Sequence, residues 1–256
     1  MTAATTALPP PAGKPSTTTY IRYELIRAFR NKRFMIFSLV FPLVLFFLIA
    51  GPNRNAHLGG INFATYYMAG MLGYGSMAAV LAGGARIAQE RSVGWHRQIR
   101  ITPLSTRTYF ATKIASGYAI ACLSIILLYA AGMSLGVRLS ALHWLEMTGY
   151  VLVALIPFSI IGIAMGHLLP VDSMGPALGG ITALFAILGG AWGPIAQHGW
   201  LNSVVQVLPS YWLVQAAHSA VTGQAWPAKA WIVIAVWTVA AVRITVRIYG
   251  RDTNRV

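Results

Sequence analysis

"ARIAQERSVGWHRQIRITPLSTRTYFATK", residues 85–113, is a basic stretch between two long apolar blocks. It carries six Lys or Arg residues and a single acid, Glu90. Hydrophobic residues make up 57% of the 256-residue chain and charged residues only 9%, against about a quarter in soluble proteins. The stretch therefore reads as a connection between membrane segments, and we predict an all-α polytopic membrane protein.

Six apolar segments are candidate transmembrane helices. They lie near residues 34–51, 64–84, 108–136, 148–169, 174–192 and 229–248. Little of the chain is left for a soluble catalytic domain, since each span takes about 20 residues. We expect residues 20–256 to form a single six-span domain.

The Lys and Arg residues gather on one side of this arrangement. Sixteen of the 19 lie before the first span, between the second and third, or after the sixth. Because basic loops stay in the cytoplasm, we predict a multi-pass protein of the plasma (inner) membrane with both termini cytoplasmic. Topology then explains the net charge of +14, and no nucleic-acid partner is expected, because such binding needs a solvated basic face.

The region before the first span divides in two. Residues 1–19 are rich in Pro and Thr and are predicted to be a disordered cytoplasmic tail. Residues 20–32 place apolar side chains every fourth position, with charged residues elsewhere around the helix, which is typical of an amphipathic helix on the membrane surface. The alternative is a flank that only sets topology. The charged residues are Arg22, Glu24, Arg27 and Arg30.

Residues 193–228 contain no Lys, Arg, Asp or Glu, although they lie between the fifth and sixth spans. Two apolar pieces, each too short to cross a bilayer, are separated at Pro209. This pattern predicts an extracellular re-entrant helix pair, which membranes tolerate where the broken backbone is buried in protein or lines a wet cavity. Pro209, Tyr211 and Trp212 mark its centre.

Residues that could perform chemistry are few. All five acids fall at the ends of spans or outside them, which argues against a proton-coupled carrier. Gly13–Ser16, "GKPS", has a Pro where a nucleotide-binding loop needs Ser or Thr. We therefore expect no catalytic site, metal or cofactor in this chain, and an energy source outside it.

One pattern suggests an enzyme instead. "HLLPVD", His167 to Asp172, has the His-x4-Asp spacing of glycerolipid acyltransferases, in which the acid orients the His as a general base. The simpler reading is a polar turn in which Asp172 caps the next helix. A membrane acyltransferase stays open here as an alternative.

The opening stretch itself predicts a docking element. "AQERSVGWHRQIR" can form a short helix that ends before Pro103. Trp95 and Ile99 lie four residues apart and give it an apolar stripe. In a chain without its own energy source, such a helix is suited to bind a soluble motor.

The stretch resembles the cytoplasmic loop of type-2 ABC-transporter permeases. The family pattern is an acid–Arg pair, a Gly, a basic-apolar helix, "TPLS" and a Lys opening the third span, and "LPSYW", Leu208–Trp212, looks like the family's Leu-Pro with aromatics. The matching residues are Glu90, Arg91, Gly94, Arg97, Ile99, Thr102, Pro103, Leu104, Ser105 and Lys113. Where many members carry a second acid after the Gly, this chain has Trp95, His96 and Arg97.

The resemblance implies the membrane subunit of an ABC exporter. Two ATPase subunits would bind ATP and Mg, and a second permease copy or a paralogue would complete the transporter in the lipid bilayer. The ATPase would dock on a coupling helix in residues 85–107, through Glu90, Arg91, Gly94, Trp95, Arg97 and Ile99. Resemblance to drug-resistance permeases implies a lipophilic drug or lipid-like substrate and antibiotic resistance, with a polysaccharide, glycolipid or ion as the alternative.

Overall fold

A computed structural model describes residues 17–30, 35–58, 60–94, 104–193 and 199–253, and nearly all of them are helical. The helices are α1 Thr17–Arg30, a π-helical turn Ile36–Val40, α2 Phe41–Ala50, α3 Phe63–Leu81, α4 Gly83–Ser92, α5 Thr106–Ser134, α6 Ala141–Ala154, α7 Ile156–Leu168, α8 Val171–Gly189, α9 Trp200–Val205, α10 Pro209–Thr222 and α11 Ala228–Thr253. Strands β1 His57–Leu58 and β2 Ile61–Asn62 pair antiparallel between α2 and α3.

Five helical segments of the described chain are long and apolar enough to cross a membrane, which confirms the prediction of an all-α multi-pass protein. They are Phe63–Ser92, Thr106–Ser134, Ala141–Leu168, Val171–Gly189 and Ala228–Gly250. A sixth apolar helix, Ser38–Ala50, is shorter. It reaches only about 20 Å at 1.5 Å per residue, which is less than the thickness of a bilayer core. The first span was expected to begin near residue 34, and residues 31–34 lie outside the described residues.

Several helix ends differ from the predicted ones. The helix of the second span continues through α4 to Ser92, so residues 85–92 are not a loop. The fourth begins at Ala141, seven residues early, and is interrupted at Leu155, two residues before Pro157, because proline lacks the N–H of a continuous helix. The last extends to Thr253, since Arg243 and Arg247 do not interrupt a helix.

The N-terminal helix also begins earlier than predicted. α1 starts at Thr17, so residues 17–19, assigned to a disordered tail by composition, are helical. Residues 1–16 lie outside the described residues, as do positions 31 and 32 at the predicted end of this helix. A helix over residues 20–30 of the predicted range is present.

Helix α3 forms the centre of the bundle. Its most apolar window, taken with α4, is 89% buried within the protein, and it packs against α2, α5, α7, α8 and α10. α4 and α7 approach each other closely, because a Cβ built on Gly84 would lie 2.1 Å from the carbonyl oxygen of Gly162. Small residues thus bring these two helices into backbone contact, as in membrane helix packing generally.

The two ends of the bundle differ in polarity. At one end, here called the charged end, α1, the end of α4 and the start of α5 meet at Glu90 and Lys113. The end of α11 reaches the same place, since the Tyr249 ring lies 5.1 Å from that of Phe110. At the opposite end, the residues after α10 meet the start of α6, with His143 3.5 Å from a Cβ built on Gly223. Both terminal helices thus reach the charged end.

The α9–α10 pair is interrupted beside α11. The indole N–H of Trp237 donates to the Val207 carbonyl at 2.8 Å, and Trp237 is nine residues into α11, about 14 Å along its axis. α10 then returns toward the opposite end, where the His218 ring stacks on Tyr66 at 4.3 Å. The segment Gln206–Leu208, here called the break, therefore lies about 14 Å from the start of α11.

Packing of α4 on α7 gives a first prediction. Gly84→Ala should lower the free energy of unfolding by about 1 to 3 kcal/mol, because the new methyl group meets backbone that cannot move aside. Gly179→Ala is the matched control, since its Cβ would meet nothing within 4 Å. Thermal unfolding of the purified protein in detergent measures both, and equal midpoints for the two variants would contradict the packing.

Candidate functional site

Lys113 lies at the centre of a buried charge cluster at the charged end. Its ammonium donates to Glu24 Oε1 at 2.6 Å and to Glu90 Oε1 at 2.5 Å. The Lys113 side chain is 0% exposed, and those of Glu24 and Glu90 are 4% and 1% exposed. Because these residues come from α5, α1 and α4, one ammonium group joins three helices.

Further donors complete the coordination of Glu90. Arg27 Nη1 donates to Glu90 Oε1 at 2.7 Å, and the Tyr109 hydroxyl donates to Glu90 Oε2 at 2.9 Å. The Lys113 ammonium also lies 5.2 Å from the centre of the Tyr109 ring, within reach of a cation–π contact. Both oxygens of Glu90 are thus bound within the chain.

Arg86 forms the second buried cation of the cluster. Its Nη2 donates to Ser116 Oγ at 2.7 Å, and its Nε lies 3.7 Å from Glu24 Oε1. Arg86 is 2% exposed. Among the described residues, the charge cluster therefore sets three cations, Arg27, Arg86 and Lys113, against two carboxylates.

Burial at this density is tolerated only because the groups are paired. Removing one partner of a buried ion pair typically costs about 3 to 5 kcal/mol, because the other charge is left without compensation. Tyr20 borders the cluster, and burial together with the charges of Glu24 and Glu90 raises the pKa of its phenol. Tyr20 therefore stays neutral beside the two carboxylates.

These contacts differ from the role that the sequence predicts for Glu90. The sequence predicts a docking contact with a motor subunit, whereas Glu90 is buried within this chain and binds Arg27, Tyr109 and Lys113. Its role in this structure is to hold the base of the loop. Arg91 has a comparable role, because its Nη1 donates to the Gly166 carbonyl at the end of α7 at 3.1 Å.

Gly94 ends the helix instead of continuing it. Its φ is +70°, a conformation that favours glycine, and its N–H bonds to the Arg91 carbonyl. A Cβ on Gly94 would meet nothing within 4 Å, so within this chain its backbone conformation, not close packing, requires glycine. The predicted continuous helix across "AQERSVGWHRQIR" is therefore wrong at residues 93–94, while Trp95, Arg97 and Ile99 lie outside the described residues.

The residues predicted on α1 separate into two faces. Glu24, expected on the polar surface, is buried in the charge cluster, and Arg27 bridges to it from a half-exposed position. Arg22 and Arg30 are exposed. Large apolar side chains also point away from the bundle, with Tyr23 67%, Ile26 43% and Phe29 41% exposed.

The residues predicted at the centre of the 193–228 segment are brought together around the break. Pro209 is the first residue of α10 and is buried. Trp212 is 6% exposed and donates its indole N–H to the Gln206 carbonyl at 2.8 Å, and its ring meets that of Tyr211 at 5.0 Å. Trp212 is thus packed within the protein.

The pair His167 and Asp172 is not arranged as a catalytic site. His167 is 3% exposed, and its ring lies 6.0 Å from that of Phe110 and 5.4 Å from that of Tyr249. Asp172 is an exposed residue in the first turn of α8. A buried imidazole enclosed by two aromatic rings does not present a base to a substrate.

Sequence reasoning missed the partners of the two glutamates. Lys113 enters the prediction only through the family pattern, and Tyr109 and Ser116 do not enter it. Lys113 and Glu24 are 89 residues apart, so no local period relates them. The available signal was chemical, because a lysine inside an apolar helix needs a buried acid.

Comparison with known proteins agrees with the membrane architecture. The sequence model of a family described as "ABC-2 family transporter protein" matches residues 58–247. The chain is also 27% identical over 209 residues to "Putative transport permease YvfS" of Bacillus subtilis (strain 168). That alignment covers 78% of this chain and 83% of the relative.

The charge cluster gives a second prediction. Lys113→Met should destabilise the protein by about 3 to 5 kcal/mol, because Glu24 and Glu90 lose their shared cation in a buried site. Adding Glu90→Gln to Lys113→Met should recover much of that loss, since the remaining carboxylate of Glu24 still lies beside Arg86. Thermal unfolding midpoints measure this, with Arg30→Gln as an exposed control. A single variant as stable as the control would show that Lys113 does not neutralise the two acids.

Proposed function

This chain belongs to the ABC-2 family of transporter proteins, and we propose that it is the permease subunit of an ATP-driven exporter. It is a multi-pass membrane transport permease. In the proposed transporter, two separate ATPase subunits bind ATP and Mg, and a second copy of this chain or a paralogue completes the pathway. The permease performs no chemistry of its own.

The observation that supports this proposal is the attachment of both ends of the loop to one buried cluster. Glu90 lies four residues before Gly94, and Tyr109 and Lys113 lie just after Leu104, where the described chain resumes. Their mutual hydrogen bonds hold the loop's two roots together against α1. A force applied to the loop is therefore delivered to α1, α4 and α5 as a unit.

In this proposal the residues of the predicted coupling helix divide their work. Trp95, Arg97 and Ile99 contact the ATPase, and Gly94 sets the direction in which the loop leaves α4. Glu90 and Arg91 do not touch the ATPase. They fix α4 to α5 and to α7, so that a displacement of the loop moves helices and is not absorbed at its root.

Helix α1 is proposed to lie on the cytoplasmic membrane surface. The exposed side chains of Tyr23, Ile26 and Phe29 are suited to the boundary between headgroups and acyl chains. Arg22 and Arg30, also exposed, suit the anionic inner leaflet, where each basic residue contributes about 1 kcal/mol. The face bearing Glu24 stays in the bundle.

A lipophilic drug or lipid-like molecule is the substrate class that we propose. Three aromatic rings form a continuous series, with Phe41 5.8 Å from Tyr74 and Tyr74 5.7 Å from Trp192. Phe41 and Trp192, at its two ends, are each 38% exposed. Such a series suits an apolar cargo, whereas a polysaccharide, glycolipid or ion stays the alternative within the family. Antibiotic resistance would follow if the cargo is a drug.

The proposed topology places six spans in the plasma membrane, both termini in the cytoplasm and the α9–α10 pair as a re-entrant element open to the outside. We count the helical segment of residues 35–50 as the first span. The break, about 14 Å along α11, and the return of α10 to the opposite end support a pair that does not cross.

Sidedness is tested with a cysteine at Gln224, an exposed residue after α10. In a Cys122→Ser background, Gln224→Cys should react with an impermeant thiol reagent added to intact cells, because the proposal puts this end outside. Arg107→Cys, exposed at the charged end, is the control and should react only after permeabilisation. The reverse pattern would refute the topology.

Coupling to an ATPase is tested at the loop. Trp95→Ala combined with Ile99→Ala should lower the yield of co-purified ATPase and substrate-stimulated ATP hydrolysis at least about tenfold, because truncating central apolar anchors commonly costs 2 kcal/mol or more. Thermal stability should stay at the wild-type value. The ATPase is identified by mass spectrometry of the complex purified from native membranes.

Arg107→Gln provides the matched control, since it removes a charge next to the loop without removing an apolar contact. Glu90→Gln distinguishes contact with the ATPase from fixation of α4 to α5. It should lower thermal stability together with coupling, whereas the double variant should lower coupling alone. Wild-type co-purification and hydrolysis in the double variant would reject docking at the loop.

A further inference from the structure

The break between α9 and α10 leaves two carbonyl groups that a continuous helix would have satisfied. In such a helix the N–H of Ser210 would bond to Gln206 and that of Tyr211 to Val207. α10 starts in a new direction at Pro209, and proline brings no N–H of its own. At the depth of the break, a carbonyl without a partner is costly.

Two tryptophan indoles supply the missing donors. Trp212 Nε1 donates to the Gln206 carbonyl at 2.8 Å, and Trp237 Nε1 donates to the Val207 carbonyl at 2.8 Å. Trp212 belongs to α10 and moves with the break. Trp237 belongs to α11, so its bond joins the break to a different helix.

A second contact joins the same elements. Lys229 Nζ, near the start of α11, donates to Gln206 Oε1 at 2.5 Å, and Gln206 Nε2 donates to Asn202 Oδ1 at 3.1 Å. Successive residues of the break, Gln206 and Val207, are thus bonded to α11 at two heights. Shifting α11 along its axis would disturb both bonds.

Helix α11 also reaches the charged end. It packs along α7, with Thr245 Oγ1 3.4 Å from the Ile160 carbonyl, and its Tyr249 ring meets that of Phe110 on α5. α7 in turn is bound by Arg91 of α4. A single helix therefore touches both the elements of the charge cluster and the break.

We propose that Trp237 is a latch that holds the α9–α10 pair closed against α11, and that displacement of α11 releases Val207 and opens the break. Release leaves the Val207 carbonyl without a donor until water enters the opened break, so the bond from Trp237 favours the closed arrangement. The use of this latch as an exit gate rests on the exporter function proposed above, whereas the latch itself does not.

The test measures opening of the break in the isolated chain, without ATPase or nucleotide. Ser210, 1% exposed next to the break, is replaced by cysteine in a Cys122→Ser background, and its reaction with a soluble thiol reagent is timed in lipid nanodiscs. Trp237→Phe should speed labelling roughly two- to tenfold, the effect of losing one net hydrogen bond. Phenylalanine keeps an aromatic ring and removes only the donor and the outer part of the indole.

Trp231→Phe is the matched control, because this exposed tryptophan lies on the same helix and its ring contacts are with Tyr150 and Trp226, away from the break. It should leave the labelling rate unchanged. Lys229→Met removes the other α11 contact and should accelerate labelling in the same direction as Trp237→Phe, which keeps the test decisive if Trp237→Phe does not fold.

Three outcomes would overturn the latch. They are an unchanged rate in Trp237→Phe, an equal increase in Trp231→Phe, and an unchanged rate in Lys229→Met when Trp237→Phe cannot be purified. Addition of ATPase and ATP then tests the exit gate separately. Faster labelling in the variants without any nucleotide-dependent change in the wild type would keep the latch and reject its use in transport.

Discussion

A single ammonium group between two buried carboxylates organises the charged end of this protein. Lys113 lies between Glu24 and Glu90 and donates to both, which offsets the cost of burying two carboxylates. Hydrophobic packing alone does not fix the register of membrane helices, because lipid is as apolar as a helix surface. The ionic contact among α1, α4 and α5 is directional and fixes the register of these helices. It also fixes the end of α4 from which the loop leaves.

The rest of the bundle transmits that position by close packing. α4 touches α7 through facing glycines, α7 is bound by Arg91, and α11 lies along α7. Close-packed helices move as bodies, since their interfaces do not deform continuously. The packed helices thereby join the two ends of the bundle, together with the hydrogen bonds from Arg91 to Gly166 and from Trp237 to Val207. These bonds satisfy backbone carbonyl groups.

The sequence predicts the helical, multi-pass architecture well, because long apolar runs have few structural solutions in a membrane. Pro209 likewise predicts the interruption before α10. What local sequence could not predict is pairing at a distance. Glu90 stands in a basic stretch and looks like a surface residue, yet its partners come from α1 and α5, and only their convergence in space reveals it as buried. The helix ends at Ala141 and Ser92 were missed for a different reason. Polar residues near these positions suggested loops, but scattered polar residues do not end a helix.

The distance along the chain between Glu24 and Lys113 has a consequence for biogenesis. Glu24 leaves the ribosome 89 residues before its cation, an interval of roughly 5 to 20 s at ordinary translation rates. During that time Glu24 lacks the ammonium group that donates to it in the folded protein, which favours α1 at the water boundary while α2 to α4 insert. Synthesis of Lys113 ends this wait, and assembly of the charged end is therefore timed by the second long hydrophobic segment, Thr106–Ser134.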